Sequence, residues 1–442
     1  MPGVPLNQVK AKRPRIIAAL LVVAMVLLSA PPCPAYSVLT HEQVIDFVWE
    51  RHFKRLLLER YPNATEDDLR RAHAYAYGGC LIQDMGYYPS GNKFFSDLLH
   101  YVRSGDFVME LINDAQDINE LAFALGALAH YASDISGHPT VNAAVALEFP
   151  RLSKKYGNEV TYADDPIAHI RTEFGFDVLQ VAKQRYTSEA YHDFIGFEVA
   201  QPLLERAFAN IYGIPLKEIF SNEELTLGSY RRAVSKLIPE LTRVALVTKK
   251  QELEALPNFE PRRFRYLLSR TEYERTWGKN YYKPSFASRF LAFIVRLIPK
   301  FGRLRALDIK TPTAQTEKMY IQSVEWTVTF YDMLLTEFET HQLDLPNRDY
   351  DTGRPTSAGE YELADKTYAK LLQKHAKNGF AQMPAALRSN LLAYYADPDR
   401  PIETKKHKKD WKEVLHDLDL LKAQQSATQI NKSHTSGSDD SL

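Results

Sequence analysis

The run His130-Tyr131-Ala132-Ser133-Asp134-Ile135-Ser136-Gly137-His138 follows an apolar stretch of mostly small residues over 121–129. In a helix, positions i, i+4 and i+8 lie close to one face. Two imidazoles and a carboxylate therefore leave an otherwise apolar helix on the same side. Burying three such groups is costly unless something pairs them. Imidazole plus carboxylate is the ligand chemistry of zinc and related divalent metals, so the run predicts a metal-binding helix. The remaining ligands must come from elsewhere in the chain.

With 442 residues the chain is long enough for a large core and for two or three units. Its 45% hydrophobic and 25% charged residues are those of a globular protein, and zero formal charge argues against a general nucleic-acid binder. Residues 1–35 carry Lys10, Lys12, Arg13 and Arg15 and no acids, then an apolar run over 16–28 and Ser29-Ala30-Pro31-Pro32-Cys33-Pro34-Ala35. The apolar run falls short of the roughly 20 residues of a membrane span, so 1–35 reads as a signal peptide cleaved after Ala35. Its alternative is an uncleaved anchor. Cleavage would remove Cys33, leaving Cys80 alone and no intrachain disulfide. Cys80, in Gly78-Gly79-Cys80-Leu81, reads as a small buried hydrophobe rather than a nucleophile.

The pattern along the chain is helical almost throughout, and the expected class is all-α. Thr40 to Gln43 reads as a capping box opening a helix that stops before Pro62. Thr65 to Asp68 opens a second, ending near Gly86. The metal helix begins near Asn119, and Pro139 with the polar stretch 151–162 reads as a long connection. Asp165-Pro166 is a cap with proline in the first turn, and helices are expected over 188–212 and 222–250. Beyond about 250 come Pro257, Pro261 and an apolar, basic stretch over 288–305, which could pack on a core or lie on a membrane surface. Helices resume over 314–343, 358–376 and 409–424, with a turn-rich loop at 344–355. The expected units are a signal peptide (1–35), a helical catalytic domain (36–250), a helical region without a readable motif (251–425) and a disordered tail (426–442).

His169 and Glu173 form a second helical i, i+4 pair, weak alone but complementary to His138. Asp84 and His100 lie between the first helix and the metal helix. His52 and His73 fit ordinary helix faces. Cleavage after Ala35 would expose the amine of Tyr36, five residues before His41, and a deprotonated α-amine can chelate a metal together with its own carbonyl oxygen. The dipeptide His192-Asp193 suits a surface pair better than a phosphohydrolase motif. The cluster Lys405-Lys406-His407-Lys408-Lys409 reads as a solvated helix start that could also attract anionic lipid.

In this order, Tyr36, His41, Asp84, His100, His130, Asp134, His138, His169 and Glu173 resemble the zinc-dependent phospholipase C family, whose fold is shared with fungal zinc-dependent single-strand nucleases. The resemblance covers about residues 36–180. It implies a secreted all-α enzyme with three zinc ions. One would be held by Asp84, His100, His130 and Asp134. The second would be bridged by Asp134 and held by His41 and the terminal amine and carbonyl of Tyr36. The third would be held by His138, His169 and Glu173. Asp84 would orient or deprotonate the attacking water. The chain departs from the family pattern at Tyr36, where tryptophan is usual. Asp134 and His138 are four apart, where bacterial phospholipases commonly have six, and 140–165 reads as an insertion. Leu39 stands where an acid that holds choline would be.

The function expected is an exported phosphodiesterase, periplasmic or extracellular, that hydrolyses a phospholipid headgroup ester, with possible peripheral membrane contact and no stable nucleic-acid partner. Two alternatives use the same residues: a single-strand nuclease or nucleotidase, with Tyr87, Tyr88, Phe94 and Phe95 stacking bases, or a non-catalytic zinc-stabilised envelope protein.

Overall fold

The computed structural model describes residues 37–183, 185–186, 196–234, 238–249, 252–253, 309–397 and 399–435. The signal-like segment, Tyr36, His192-Asp193 and the stretch 288–305 lie outside these residues. Among the described residues the architecture is all-α. Pairing of extended segments is limited to an isolated bridge between Arg348 and Pro355.

Helix α1 (Val38–Val48) passes through a π turn (Trp49–Phe53) into α2 (Lys54–Arg60). The expected capping box at Thr40 does not form, because the helix starts two residues earlier. The Thr40 hydroxyl instead donates to Asp177 Oδ1 at 2.7 Å, a buried bond to a distant helix. The box at Thr65 does form, opening α3 (Glu66–Gly79), and a 3₁₀ turn (Ile82–Tyr87) follows. Then come α4 (Lys93–Tyr101), α5 (Ser104–Asp114), α6 (Ile118–Glu148) and α7 (Pro150–Tyr156). Helix α8 (Pro166–Ala182) is capped by Asp165 as expected. The chain continues through α9 (Gln201–Tyr212), α10 (Glu223–Arg232), α11 (Ile238–Thr248) and α12 (Ala314–Glu339). It ends with α13 (Glu362–Lys377), α14 (Ala385–Tyr394) and α15 (Lys408–Thr435). Helix α14 was not expected, and α15 runs past 424 to Thr435 through a sequence rich in good helix formers, Lys422-Ala423-Gln424-Gln425.

The 31-residue helix α6 is the axis of the fold. It packs against α1, α3, α5, α8 and α12. Its residues 121–134 are buried on all sides, as expected of a helix that is apolar all round. Two glycines set how closely α3 approaches it. A Cβ on Gly79 would lie 1.9 Å from the Phe123 carbonyl oxygen, and one on Gly126 would lie 2.2 Å from that of Ala76.

Pro139, expected to end the metal helix, sits inside α6, which continues to Glu148. A proline has no N–H to give the carbonyl one turn back, here that of Ile135. The loop backbone packs onto that freed carbonyl: Gly353 has φ +69, and a Cβ there would lie 2.3 Å from Ile135 O. One core cluster takes in side chains from Val38 to Leu421.

Candidate metal centre

The close approach of α3 to α6 does local work. It carries the last carbonyls of α3 to the level of His130, one turn beyond Gly126. His130 Nδ1 donates to the Cys80 carbonyl at 2.9 Å, and Gln83 Nε2 donates to Ala127 O at 3.0 Å. His100, near the end of α4, donates its Nδ1 proton to Ser96 O at 2.8 Å. His138 donates its own to Tyr350 O at 2.7 Å. A carbonyl only accepts, so in each neutral ring the proton sits on Nδ1 and the lone pair on Nε2. This is how metal-binding imidazoles are held.

The Nε2 atoms of His100 and His130 converge on one carboxylate. His130 Nε2 lies 3.0 Å from Asp134 Oδ2, and His100 Nε2 lies 3.5 Å from the same oxygen and 3.4 Å from Asp84 Oδ1. His41, on the first turn of α1, places Nε2 3.5 Å from Asp134 Oδ1, and its ring stacks on His130 with centroids 4.5 Å apart. His41, Asp84, His100, His130, Asp134 and His138 are all fully buried. Two groups have donor atoms close enough to share an ion: His41, His130 and Asp134, and Asp84, His100 and His130. His130 belongs to both, and its single Nε2 can serve one.

His138, His169 and Glu173 form a looser set. Glu173 Oε1 lies 3.9 Å from His138 Nε2 and 2.7 Å from His169 Nδ1. The other nitrogen, His169 Nε2, lies 2.7 Å from Asn142 Oδ1. All of the predicted site residues that are described thus meet around α6, and only Tyr36 falls outside the described residues.

The electrostatics show groups in conflict. Burial drives the His130 imidazole down, but the Asp134 carboxylate outweighs it and lifts the group to about 9. Burial likewise opposes ionisation of Asp134, and His130 beside it holds the carboxyl below the ordinary range. Burial, followed by repulsion from His130, holds His41 well below its ordinary value. Burial lowers His169 to about 4 and pushes Glu173 well up. Neither oxygen of Asp134, nor the Nε2 of His100, His130 or His138, makes a hydrogen bond among the described residues. Stranded acceptors and lone pairs at this density, with their protons held on the far side of each ring, fit a divalent cation of the zinc type.

Three residues that touch this set escaped the sequence reading: Asn142, Tyr350 and Asp351. The last two sit in the turn-rich loop, where no spacing sets them apart from a solvent loop. His52 and His73 have structural partners. His73 pairs with Asp46 at 2.9 Å, and His52 with Asp332 at 2.8 Å. Tyr88, Phe94 and Phe95 lie in the core cluster. The Tyr87 ring stands edge-on to His100 with centroids 5.7 Å apart.

Residues 40–222 match the family model described as zinc dependent phospholipase C. No curated protein and no solved structure matches the chain. The match begins one residue before His41, ends beyond Glu173 and takes in every described donor named above. The match supports a zinc-dependent hydrolase of phospholipase C type over residues 40–222.

Proposed function

We propose that the protein is exported, loses residues 1–35, and hydrolyses the headgroup ester of a phospholipid at a site of three zinc ions. The observation that carries this is the convergence of the buried Nε2 atoms of His41, His100 and His130 on Asp134, with His100 and His130 each donating Nδ1–H to a carbonyl. Asp84, His100, His130 and Asp134 would hold one ion. His41, Asp134 and the amine and carbonyl of Tyr36 would hold a second, and His138, His169 and Glu173 the third. Bound zinc supplies Lewis acidity, which acidifies a water and neutralises charge on the phosphodiester.

The chain's own groups do the rest. Asp134, with an oxygen toward each of two groups of imidazoles, fixes the spacing between them. Asp84 Oδ1, beside His100, orients the attacking water and takes its proton. Burial of the whole set strengthens each of these interactions. No helix among the described residues is long and apolar enough to cross a membrane.

The test is the exported protein, assayed for its N-terminal residue, its zinc content and release of diacylglycerol from phospholipid vesicles. A start at Tyr36, close to three zinc ions and diacylglycerol release are expected. Cleavage of single-stranded DNA without lipid hydrolysis moves the site to the nuclease reading. Bound zinc with no hydrolysis of either substrate moves it to the envelope-protein reading.

A further inference from the structure

The loop 344–355 lies more than a hundred residues beyond the family match, yet it is built into the metal centre. It is pinned from several directions. Ser104 Oγ donates to Arg348 O at 2.6 Å, Tyr131 OH to Pro346 O at 2.8 Å, and Tyr350 N–H to His100 O at 3.2 Å. Within the loop, Asp349 accepts from the Asp351 N–H at 2.9 Å and from the Thr352 hydroxyl at 2.9 Å. The Tyr350 ring packs against His100 and His130, with centroids 5.2 and 5.9 Å away.

Two consequences reach the His138, His169 and Glu173 set. First, His138 Nδ1 donates to Tyr350 O at 2.7 Å, with Asp351 Oδ1 3.5 Å from the same nitrogen. Asp351 is fully buried, and Oδ1 makes no hydrogen bond, whereas Oδ2 accepts from Tyr101 OH at 2.8 Å and Tyr361 OH at 2.5 Å. A carboxylate behind an imidazole is the arrangement that raises its basicity as a ligand. Second, Asn142 Nδ2 donates to the Asp351 carbonyl at 2.9 Å. A carbonyl only accepts, so the amide orientation is fixed, and its Oδ1 faces His169 Nε2. His169 must then carry its proton on Nε2. Its lone pair is left on Nδ1, 2.7 Å from Glu173 Oε1, and two acceptors so close require a cation or a proton between them.

We propose that Tyr350, Asp351 and Asn142 are the positioning residues of the His138, His169 and Glu173 site, leaving Nε2 of His138 and Nδ1 of His169 to bind the metal. This rests on the three-ion reading above. Its content is that a segment outside the family match decides which nitrogens are available.

The test is zinc titration of the exported protein that starts at Tyr36, otherwise intact, against a chromophoric chelator, with the melting temperature of the metal-free protein measured alongside. Asp351→Asn keeps an oxygen for both tyrosine hydroxyls and loses the acceptor facing His138. Asn142→Ala frees His169 to move its proton to Nδ1. Each variant is expected to weaken one of three zinc ions by about 10- to 100-fold. The other two ions should remain, and the metal-free melting temperature of Asp351→Asn should stay near wild type. A merely structural role would move that temperature and spare the selective loss. Wild type with three ions and both variants binding all three at wild-type affinity overturns the proposal alone. Wild type with fewer than three overturns the three-ion reading and the proposal with it.

Discussion

His130 and Cys80 meet through one hydrogen bond, from Nδ1 to the carbonyl oxygen at 2.9 Å. That bond exists because glycines let α3 touch α6 one helical turn away. The distance between two backbones thus sets the proton position on a ligand ring. Gly126→Ala should show this. Its methyl would press on the Ala76 carbonyl, and overpacking of this kind costs about 1–3 kcal/mol. Urea unfolding should report that loss, and a zinc titration should report weaker binding. Unchanged stability would mean that the helices part without cost.

Asp134 sits between His41 on one side and His100 and His130 on the other, at 3.0 to 3.5 Å. Asp134→Ala should lose two zinc ions by elemental analysis. Lipid hydrolysis should fall by at least about 10²- to 10³-fold, the usual cost of removing a principal electrostatic stabiliser. Full activity in this variant would sink the assignment.

Zinc should stabilise the fold by mass action, by about 2.7 kcal/mol at a free concentration one hundred times its dissociation constant. The melting temperature should rise with zinc and fall on adding a chelator. Magnesium at equal concentration should do little, because imidazole donors suit zinc and a hard cation prefers oxygen. Equal stabilisation by both would argue against an imidazole-rich centre.

Asp177 supplies a pH dependence apart from the ligands. It accepts from the Leu39 N–H at 2.9 Å and from the Thr40 hydroxyl, anchoring the start of α1 beside His41. Burial pushes its carboxyl up to about 6, against the opposing pull of those hydrogen bonds. The folded state therefore keeps a proton that the unfolded chain has lost, between about pH 4 and 6. Its contribution is fully present below the unfolded value and is lost as pH rises through 6. Asp177→Asn should remove that slope. The wild-type minus variant difference in unfolding free energy should fall by on the order of 3 kcal/mol from pH 4 to 7. A constant difference would contradict the raised value.

The sequence made the helical spacings plain, because i, i+4 pairs such as His130 with Asp134 and His169 with Glu173 are local. Caps at Thr65 and Asp165 were legible for the same reason. Thr40 misled, since a buried acceptor 137 positions away took its hydroxyl. Pro139 misled too. The rule that proline ends a helix presumes that the freed carbonyl needs water, and here the backbone at Gly353 covers it. Asn142, Tyr350 and Asp351 could not be read: one backbone carbonyl joins Tyr350 to His138 and another joins Asp351 to Asn142, and a carbonyl leaves no mark in a sequence.

The bond between His138 and Tyr350 joins positions 212 residues apart. It ties completion of the centre to completion of the chain. A polypeptide that has emerged only as far as residue 250 already holds every described donor, but nothing yet receives the His138 proton. On the proposed three-ion reading, an ion at His138 would be captured tightly only after synthesis reaches the 350s. On that reading, a stop codon before residue 350 would leave the third ion weakly held in a first half that is otherwise intact.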